Sequence, residues 1–326
     1  MSLRGKRGPI ALAAGILAAA FTPAALAQAD YPKQPIKMLV GFTPGGSNDI
    51  LARIFAQKLG ERLGQPGVVE NKPGAGGRIA ADQLARSTPD GYTLLMVPAG
   101  TLSIAPAVFK KLNYDPIKSF AHVAIVATYP FLLSVSAGHE VKSVKELIAY
   151  GKANPAKANY GSTSPIFQLT SELFNIKTGV KFEHIPFKSG GEIVAGILNG
   201  QVTMAFADAG PAMPQINAGK LRVLATSGAK RFPALPNLPT MKEAGIEGVV
   251  VDGYSGIVAP AGTSAAIVKK LEAETNAILK QADVRDRLEK LGLVPGGGTA
   301  AQFVAVINRE VPMWKDVATK AKVSLD

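Results

Sequence analysis

From Ile36 onward, short apolar runs suited to strands alternate with stretches whose apolar residues recur at helical spacing. That alternation constrains the fold more than any other feature. A strand, a crossover helix and a second strand build a parallel sheet covered by helices. The first set reads as strand Ile36 to Val40, then a helix with Ile50, Leu51, Ile54, Phe55, Leu59 and Leu63 on one face. A short strand covers Val68 to Glu70, and Gly74-Ala75-Gly76-Gly77 opens a helix running to about Ala85. Thr88-Pro89-Asp90-Gly91 is a turn by composition, and Tyr92 to Val97 is a strand.

A second set begins near Val123. The apolar stretch Val123 to Val135 is long for one strand and suits a crossing between two lobes. Helices are expected at Val144 to Gly151, Ile166 to Thr178, Gly190 to Leu198 and Ala212 to Ala218. Strands are expected at Ala158 to Gly161, Phe182 to Phe187, Val202 to Ala207 and Leu221 to Ser227. Pro233 to Pro239 is extended and rigid, because proline fixes its backbone. Tyr254 to Ala259 is a strand placed to cross back, and three helices close the chain: Ser264 to Lys280, Asp283 to Leu291 and Thr299 to Lys320. The expected architecture is α/β with two lobes and a ligand cleft between them. Residues 31–127 with 256–326 form one lobe and residues 128–255 the other. Ligands of open α/β sheets bind beyond the carboxyl ends of the strands.

The first 27 residues stand apart. Arg4, Lys6 and Arg7 precede an apolar run from Ile10 to about Phe21, and Ala25-Leu26-Ala27 is a small-x-small cleavage site. This reads as an export signal, with the mature chain expected to start at Gln28; the alternative is a retained N-terminal anchor, for which the apolar run is short. The 326 residues hold no cysteine, which removes disulfides, thiolate metal sites and a cysteine nucleophile together. Export without disulfides points to the bacterial periplasm. The net charge of +12 falls to +9 without the signal's three cations, an excess that suits either long-range attraction of anions or a solubilising surface; no basic run is interleaved with aromatics, so nucleic acid is not an expected partner.

The candidate site begins at Phe42-Thr43-Pro44-Gly45-Gly46-Ser47-Asn48-Asp49. A glycine turn from a buried strand into a helix leaves backbone N–H groups unpartnered at the positive end of the helix dipole. Such a start receives an anion. Gly45 and Gly46 let a ligand approach the backbone, and Ser47, Asn48 and Asp49 are also capping types. The loop Ser162-Thr163-Ser164 leads through Pro165 into another helix, where hydroxyls and N–H groups suit a second contact. Phe167 suits either a less polar pocket or the core. Asp208 follows a strand and suits either a ligand's hydroxyl, ammonium or water, or the cap of the next helix.

Read as a whole, the chain resembles the Bug-type solute receptors, the periplasmic binding components of tripartite tricarboxylate transporters. The resemblance rests on an ordered series: Tyr31-Pro32, Phe42 through Asp49, and Val69-Glu70-Asn71-Lys72-Pro73-Gly74-Ala75-Gly76-Gly77. It continues with Asp90-Gly91-Tyr92-Thr93-Leu94-Leu95, Tyr114-Asp115-Pro116, Asn159-Tyr160-Gly161-Ser162 and Pro186-Phe187-Lys188-Ser189-Gly190-Gly191. Ala218-Gly219-Lys220-Leu221-Arg222, Leu238-Pro239-Thr240 and Ala259-Pro260-Ala261-Gly262-Thr263 complete it. The resemblance implies a type II periplasmic binding fold, a small carboxylate ligand and delivery to transporter membrane subunits. It implies that one loop from each lobe grips the carboxylate through backbone amides and water, and it adds Thr101 as a pocket-lining position. The second loop departs from the common pattern: it is short, and Gln168 stands where a histidine is frequent.

Two further functions stay open beside transport. A signalling receptor would present its closed, liganded form to a sensor, and nothing in the chain separates that from delivery to a permease. A serine hydrolase would use Ser47 or Ser255 with one of three histidines, but Gly253-Tyr254-Ser255-Gly256-Ile257 misses the second glycine of G-x-S-x-G. His139-Glu140 lacks the further histidine of a zincin, and His184 and Trp314 read as structural. The expectation is a monomeric binding protein without enzyme activity, metal or cofactor.

Overall fold

A computed structural model describes Met1 and residues 31–325. Apart from Met1, the export signal and its cleavage position lie outside the described residues. Residues from Pro32 onward form a unit of their own. Its first three strands, β1 (Ile36–Val40), β2 (Gly67–Asn71) and β3 (Thr93–Pro98), are parallel with β1 in the middle. Helices α1 (Ser47–Leu63) and α2 (Arg78–Ala85) make the crossovers. The expected face of α1 packs inward: Leu51, Ile54, Phe55 and Leu59 are buried. After β3 come a π-helical stretch, Gly100–Ile104, and the short α3 (Ala105–Val108) that continues it. Neither was expected, since so few residues carry no readable period.

The apolar run from Val123 to Val135 divides between two sheets. Strand β4 (Phe120–Pro130) ends on a proline, which has no N–H to extend the ladder. The next N–H, of Phe131, donates to Ser227 Oγ at 2.8 Å. The chain then enters β5 (Leu132–Ser136), the centre of another sheet. The returning strand β10 (Asp252–Pro260) inserts between β3 and β4, antiparallel to both. Strand β11 (Val294–Gly297) adds to the outside of β4. The six-stranded order is β11-β4-β10-β3-β1-β2. β11 was not foreseen, since Pro295, Gly296 and Gly297 are poor strand formers, yet an edge strand tolerates them.

In the second sheet, β8 (Ala205–Ala207) and β9 (Leu221–Thr226) flank β5, both antiparallel. The parallel pair β6 (Asn159–Ser162) and β7 (Glu183–Pro186) connects to it through a bridge between Tyr160 and Met204. Four helices serve these strands: α4 (Val144–Ala153), α5 (Pro165–Thr178), α6 (Gly190–Leu198) and α7 (Ala209–Asn217). Helix α7 starts three residues before its expected position, which puts Asp208 at its N-cap. Helices α8 (Ala265–Ile278), α9 (Ala282–Lys290) and α10 (Ala300–Ala321) close the chain.

The first sheet buries Leu39, Leu95, Val97, Tyr254 and Val258 against Phe303 and Ile307 of α10. Farther along, α10 places Trp314, Val317 and Ala318 among Phe131, Leu133, Tyr160, Phe174 and Phe206 of the second core. Trp314 is therefore packing, as the sequence suggested. A fully buried side chain of this size contributes about 3 kcal/mol. The fold is α/β throughout, as expected. Among the described residues no helix is long and apolar enough to cross a membrane.

Candidate functional site

The loops that leave the carboxyl ends of β1, β2 and β3 are locked together. Asp49 lies at the third residue of α1, 2% exposed, and fastens the first loop to the second. One carboxylate oxygen accepts the Gly45 N–H and Arg53 Nε, both at 2.9 Å, and the other accepts Asn71 Nδ2 at 2.9 Å. Hydrogen bonding from Arg53, with those from Gly45 and Asn71, overcomes burial and holds this carboxyl down at about 2. Asn71 Nδ2 also donates to the Phe42 carbonyl at 3.0 Å. Gly45 has φ +88°, a conformation that costs other residues energy, so the turn that aims the following amides depends on it. Below the second loop, Thr101 Oγ1 donates to the Gly76 carbonyl at 3.1 Å. The backbones touch as well: a Cβ on Gly41 would lie 2.5 Å from Gly77 Cα.

Above this scaffold lie two adjoining cavities of about 390 and 370 Å³ that share Phe42, Asn48, Tyr129 and Asp208 as walls. The smaller adds Thr43, Gly46 and Ser47 from the start of α1, Ala209, Gly210 and Pro211 from α7, and Gly292. The larger adds Ser164 to Phe167 from the start of α5, Ala75, Gly76 and Arg78 at the start of α2, and Ile104, Val108, Phe109 and Leu325. Elements of both sheets therefore meet at one place. Three larger hollows, about 610, 550 and 520 Å³, lie around Leu235, around Val323 and around Gly296. None of them takes in the starts of α1, α5 or α7.

Capping sets these starts apart. Helices α4, α6, α8 and α10 begin with Ser143, Ser189, Ser264 and Thr299, and each side chain accepts a hydrogen bond from its own helix. Helices α1, α5 and α7 begin with Gly46, Ser164 and Asp208, and none makes a side-chain cap. (Helices α2 and α3, whose first turns border the larger cavity, and α9, away from both cavities, also start without a side-chain cap.) The first bond within α1 is Ile50 N–H to the Gly46 carbonyl at 3.0 Å. The amides of Ser47 and Asn48 therefore have no partner inside the helix. At α5, Pro165 lacks an N–H, so Ile166 and Phe167 supply the amides there.

The side chains around the cavities are equally specific. Asn48 Oδ1 accepts from Ser255 Oγ at 2.9 Å, which leaves its amide nitrogen for the cavity. Asp208 is partly buried without a hydrogen bond among the described residues, and burial pushes its carboxyl up to about 6. Tyr129 is raised by burial and by the neighbouring Asp208. Arg78 Nε donates to the Ala75 carbonyl at 2.9 Å, and its guanidinium lies 3.5 Å from the centre of the Phe109 ring.

Of the residues expected from sequence, Phe42, Gly46, Ser47, Asn48, Ser164 and Asp208 line the cavities, and so does Phe167. Pro44 and Gly45 shape the turn without lining them, and Thr163 also stays outside. Asp49 is spent on fastening the loops. Thr101 is fully buried under Gly76, and its carbonyl accepts the Tyr114 hydroxyl at 2.7 Å. Ser162 is buried, its Oγ 2.7 Å from His184 Nε2. Ser189, from the loop after β7, caps α6. Arg78, Phe109 and Tyr129 were missed. Arg78 directly follows the Gly74 to Gly77 run, and Tyr129 is a polar aromatic inside an apolar run; both were signals in the sequence.

The serines weighed as nucleophiles have other partners or none. Ser255 is 1% exposed and donates to Asn48. The serine–histidine pair the fold does make, Ser162 with His184, lies outside both cavities. His122 Nε2 meets the Pro116 carbonyl at 3.1 Å. Among the described residues no group of three or more potential ligands is placed to hold a metal ion.

Residues 51–323 match the family described as tripartite tricarboxylate transporter family receptor. The chain is 33% identical to the protein BugT of Bordetella pertussis over 95% of its own length and 97% of the relative's. A Rhodopseudomonas palustris structure with adipate is 33% identical, with a TM-score of 0.77 over 90% of this chain and 99% of that one. MatC from the same species, with bound malate, is 32% identical, with a TM-score of 0.73 over 88% and 99%.

Proposed function

Because the chain belongs to the tripartite tricarboxylate transporter receptor family, we propose that it captures a small organic carboxylate and delivers it to that transporter's membrane subunits. The observation that carries this reading is the group of uncapped helix starts at one cavity pair. Unpartnered amides at a positive dipole end favour a carboxylate, and they recognise it without a charged side chain. The amides of Ser47 and Asn48 take one carboxylate oxygen and those of Ile166 and Phe167 approach from the other side. Gly46 keeps the way to them open. Ser164 and Asn48 supply polar side chains, and Phe42 and Tyr129 close the walls. The adipate and malate held by two relatives are ligands of this chemical class.

In this reading the protein works in the periplasm after cleavage at Ala27. Residues 31–127 with 256–326 close against 128–255, the hinge lying where β4 passes to β5 and where β10 returns. Closure excludes water, which strengthens each hydrogen bond to the charged ligand. The test is a thermal-shift screen followed by calorimetry with mono-, di- and tricarboxylates, aromatic acids, amino acids and nicotinic acid. At least one acid raises Tm and binds. X-ray scattering at saturation shows compaction. A screen in which none of these acids binds would overturn the reading.

A further inference from the structure

We infer that Arg78 is the specificity-determining residue of the larger cavity. It receives a second acidic group, set at the far end of an apolar ligand body. This deepens the carboxylate reading and rests on it. A guanidinium stays charged at every working pH and is costly to desolvate without an anion. Arg53, Arg62, Arg86 and Arg231 each meet a carboxylate. Arg78 meets none among the described residues, as is also true of Arg222, Arg285 and Arg287, but of these four it is Arg78 that lines the cavity pair.

The side chain is also held in place. Its Nε is spent on the Ala75 carbonyl and its carbon centre rests over Phe109. Those contacts fix the guanidinium and leave the two Nη groups as donors. A preorganised guanidinium loses little freedom when it binds an anion. Arg78 shares its cavity with Ile104, Val108, Phe109, Phe167 and Leu325, while the amides of α1 border the adjoining one. The first acid group therefore belongs at the amides, the apolar body against these side chains, and the second acid group at Arg78. A monoacid of the same shape leaves Arg78 unpaired in the closed cleft.

The test uses the full mature chain as wild type, Arg78→Lys and Arg78→Met. Calorimetry compares α,ω-diacids of graded length, adipate included, with their monoacid counterparts such as hexanoate, and terephthalate with benzoate. In the wild type the best diacid binds about 10- to 100-fold more tightly than its monoacid, the range for a charged hydrogen-bonded pair. Arg78→Met abolishes that preference while monoacid affinity stays within about threefold, and Arg78→Lys falls between, since it keeps the charge without the fork. A preference that survives in Arg78→Met overturns the assignment. Equal loss for both acids, with a lowered Tm, overturns it too, because Arg78 is then scaffold. Wild type that binds monoacids as well as diacids removes the role of Arg78 but leaves the carboxylate reading standing. Wild type that binds no acid defeats that reading itself.

Discussion

Asp208 makes anion binding depend on pH, and the sign follows from its surroundings. Its carboxyl caps no amide of α7, lies on the shared wall of the two cavities and is moved by burial from 3.8 to about 6. The groups it faces there are Asn48, Tyr129 and Phe42, with the Arg78 guanidinium on the wall of the larger cavity. A ligand carboxylate beside ionised Asp208 is repelled, whereas the protonated form donates a hydrogen bond to it. With a pKa of about 6, roughly three quarters of the molecules are protonated at pH 5.5 and roughly 3% at pH 7.5. If only the protonated form binds, apparent affinity falls by about 25-fold across that interval. Asp208→Asn gives a flat profile and tighter binding at pH 7.5. The free protein supplies a second readout. A raised carboxyl pKa gives stability that is complete below about 3.8, declines up to about 6 and is constant above. The full shift corresponds to about 3 kcal/mol, and a carboxyl facing an open cavity keeps about half. Asp208→Asn therefore raises Tm by about 2–5 °C at pH 7.5 and changes little at pH 4. The assays are calorimetry with an acid ionised over the whole range, and thermal melts. A wild-type affinity that is flat from pH 5.5 to 7.5, or an Asn variant with the wild-type slope, refutes the reasoning.

Gly46→Val places a side chain over the α1 amides while the backbone tolerates it, since φ is −77° and an added Cβ meets only the Thr43 carbonyl at 3.8 Å. Stability drops by about 1 kcal/mol, and carboxylate affinity falls at least 10-fold by calorimetry; unchanged affinity means the ligand sits elsewhere. Asp49→Ala strands the Gly45 N–H and the Asn71 amide and costs about 2–3 kcal/mol in urea unfolding. The wild type loses about 1–2 kcal/mol as pH falls from about 4 to 2, because the Asp49 carboxyl sits at about 2, and the Ala variant lacks that step. Gly253→Ala brings a Cβ within about 2.1 Å of the Tyr129 ring, which must turn into the shared wall. That variant loses about 1–3 kcal/mol and binds more weakly; wild-type affinity argues that Tyr129 does not shape the site.

The backbone of the candidate site was readable because backbone chemistry is local. A strand followed by Pro44-Gly45-Gly46 and a capping-type run announces an open helix start whatever surrounds it, and α1 forms there. The α5 start was read on the same grounds. What failed was the assignment of side chains within those loops. Asp49, Thr101 and Ser162 are polar residues in the right segments. Their partners are Asn71, Gly76 and His184, the first two across neighbouring loops and the third across a strand pair. Polarity is a property of the residue, but whether a polar atom is spent on scaffold or left for a ligand depends on what packs against it.

By itself, the sequence determined the alternation of strands and helices, the absence of thiol chemistry and the placing of glycine turns at strand ends. Each follows from covalent geometry, apolar period or composition, all of which act over a few residues. Only the tertiary structure decided that the run from Val123 to Val135 splits between sheets at Pro130, that β11 joins the edge of β4 and that Asp208 stands at the N-cap position of α7 with its carboxyl unbonded among the described residues. It alone brought Arg78, Phe109, Tyr129 and Phe167 around one cavity pair with the α1 amides. Those meetings join residues far apart in the chain, and packing rather than local preference selects them.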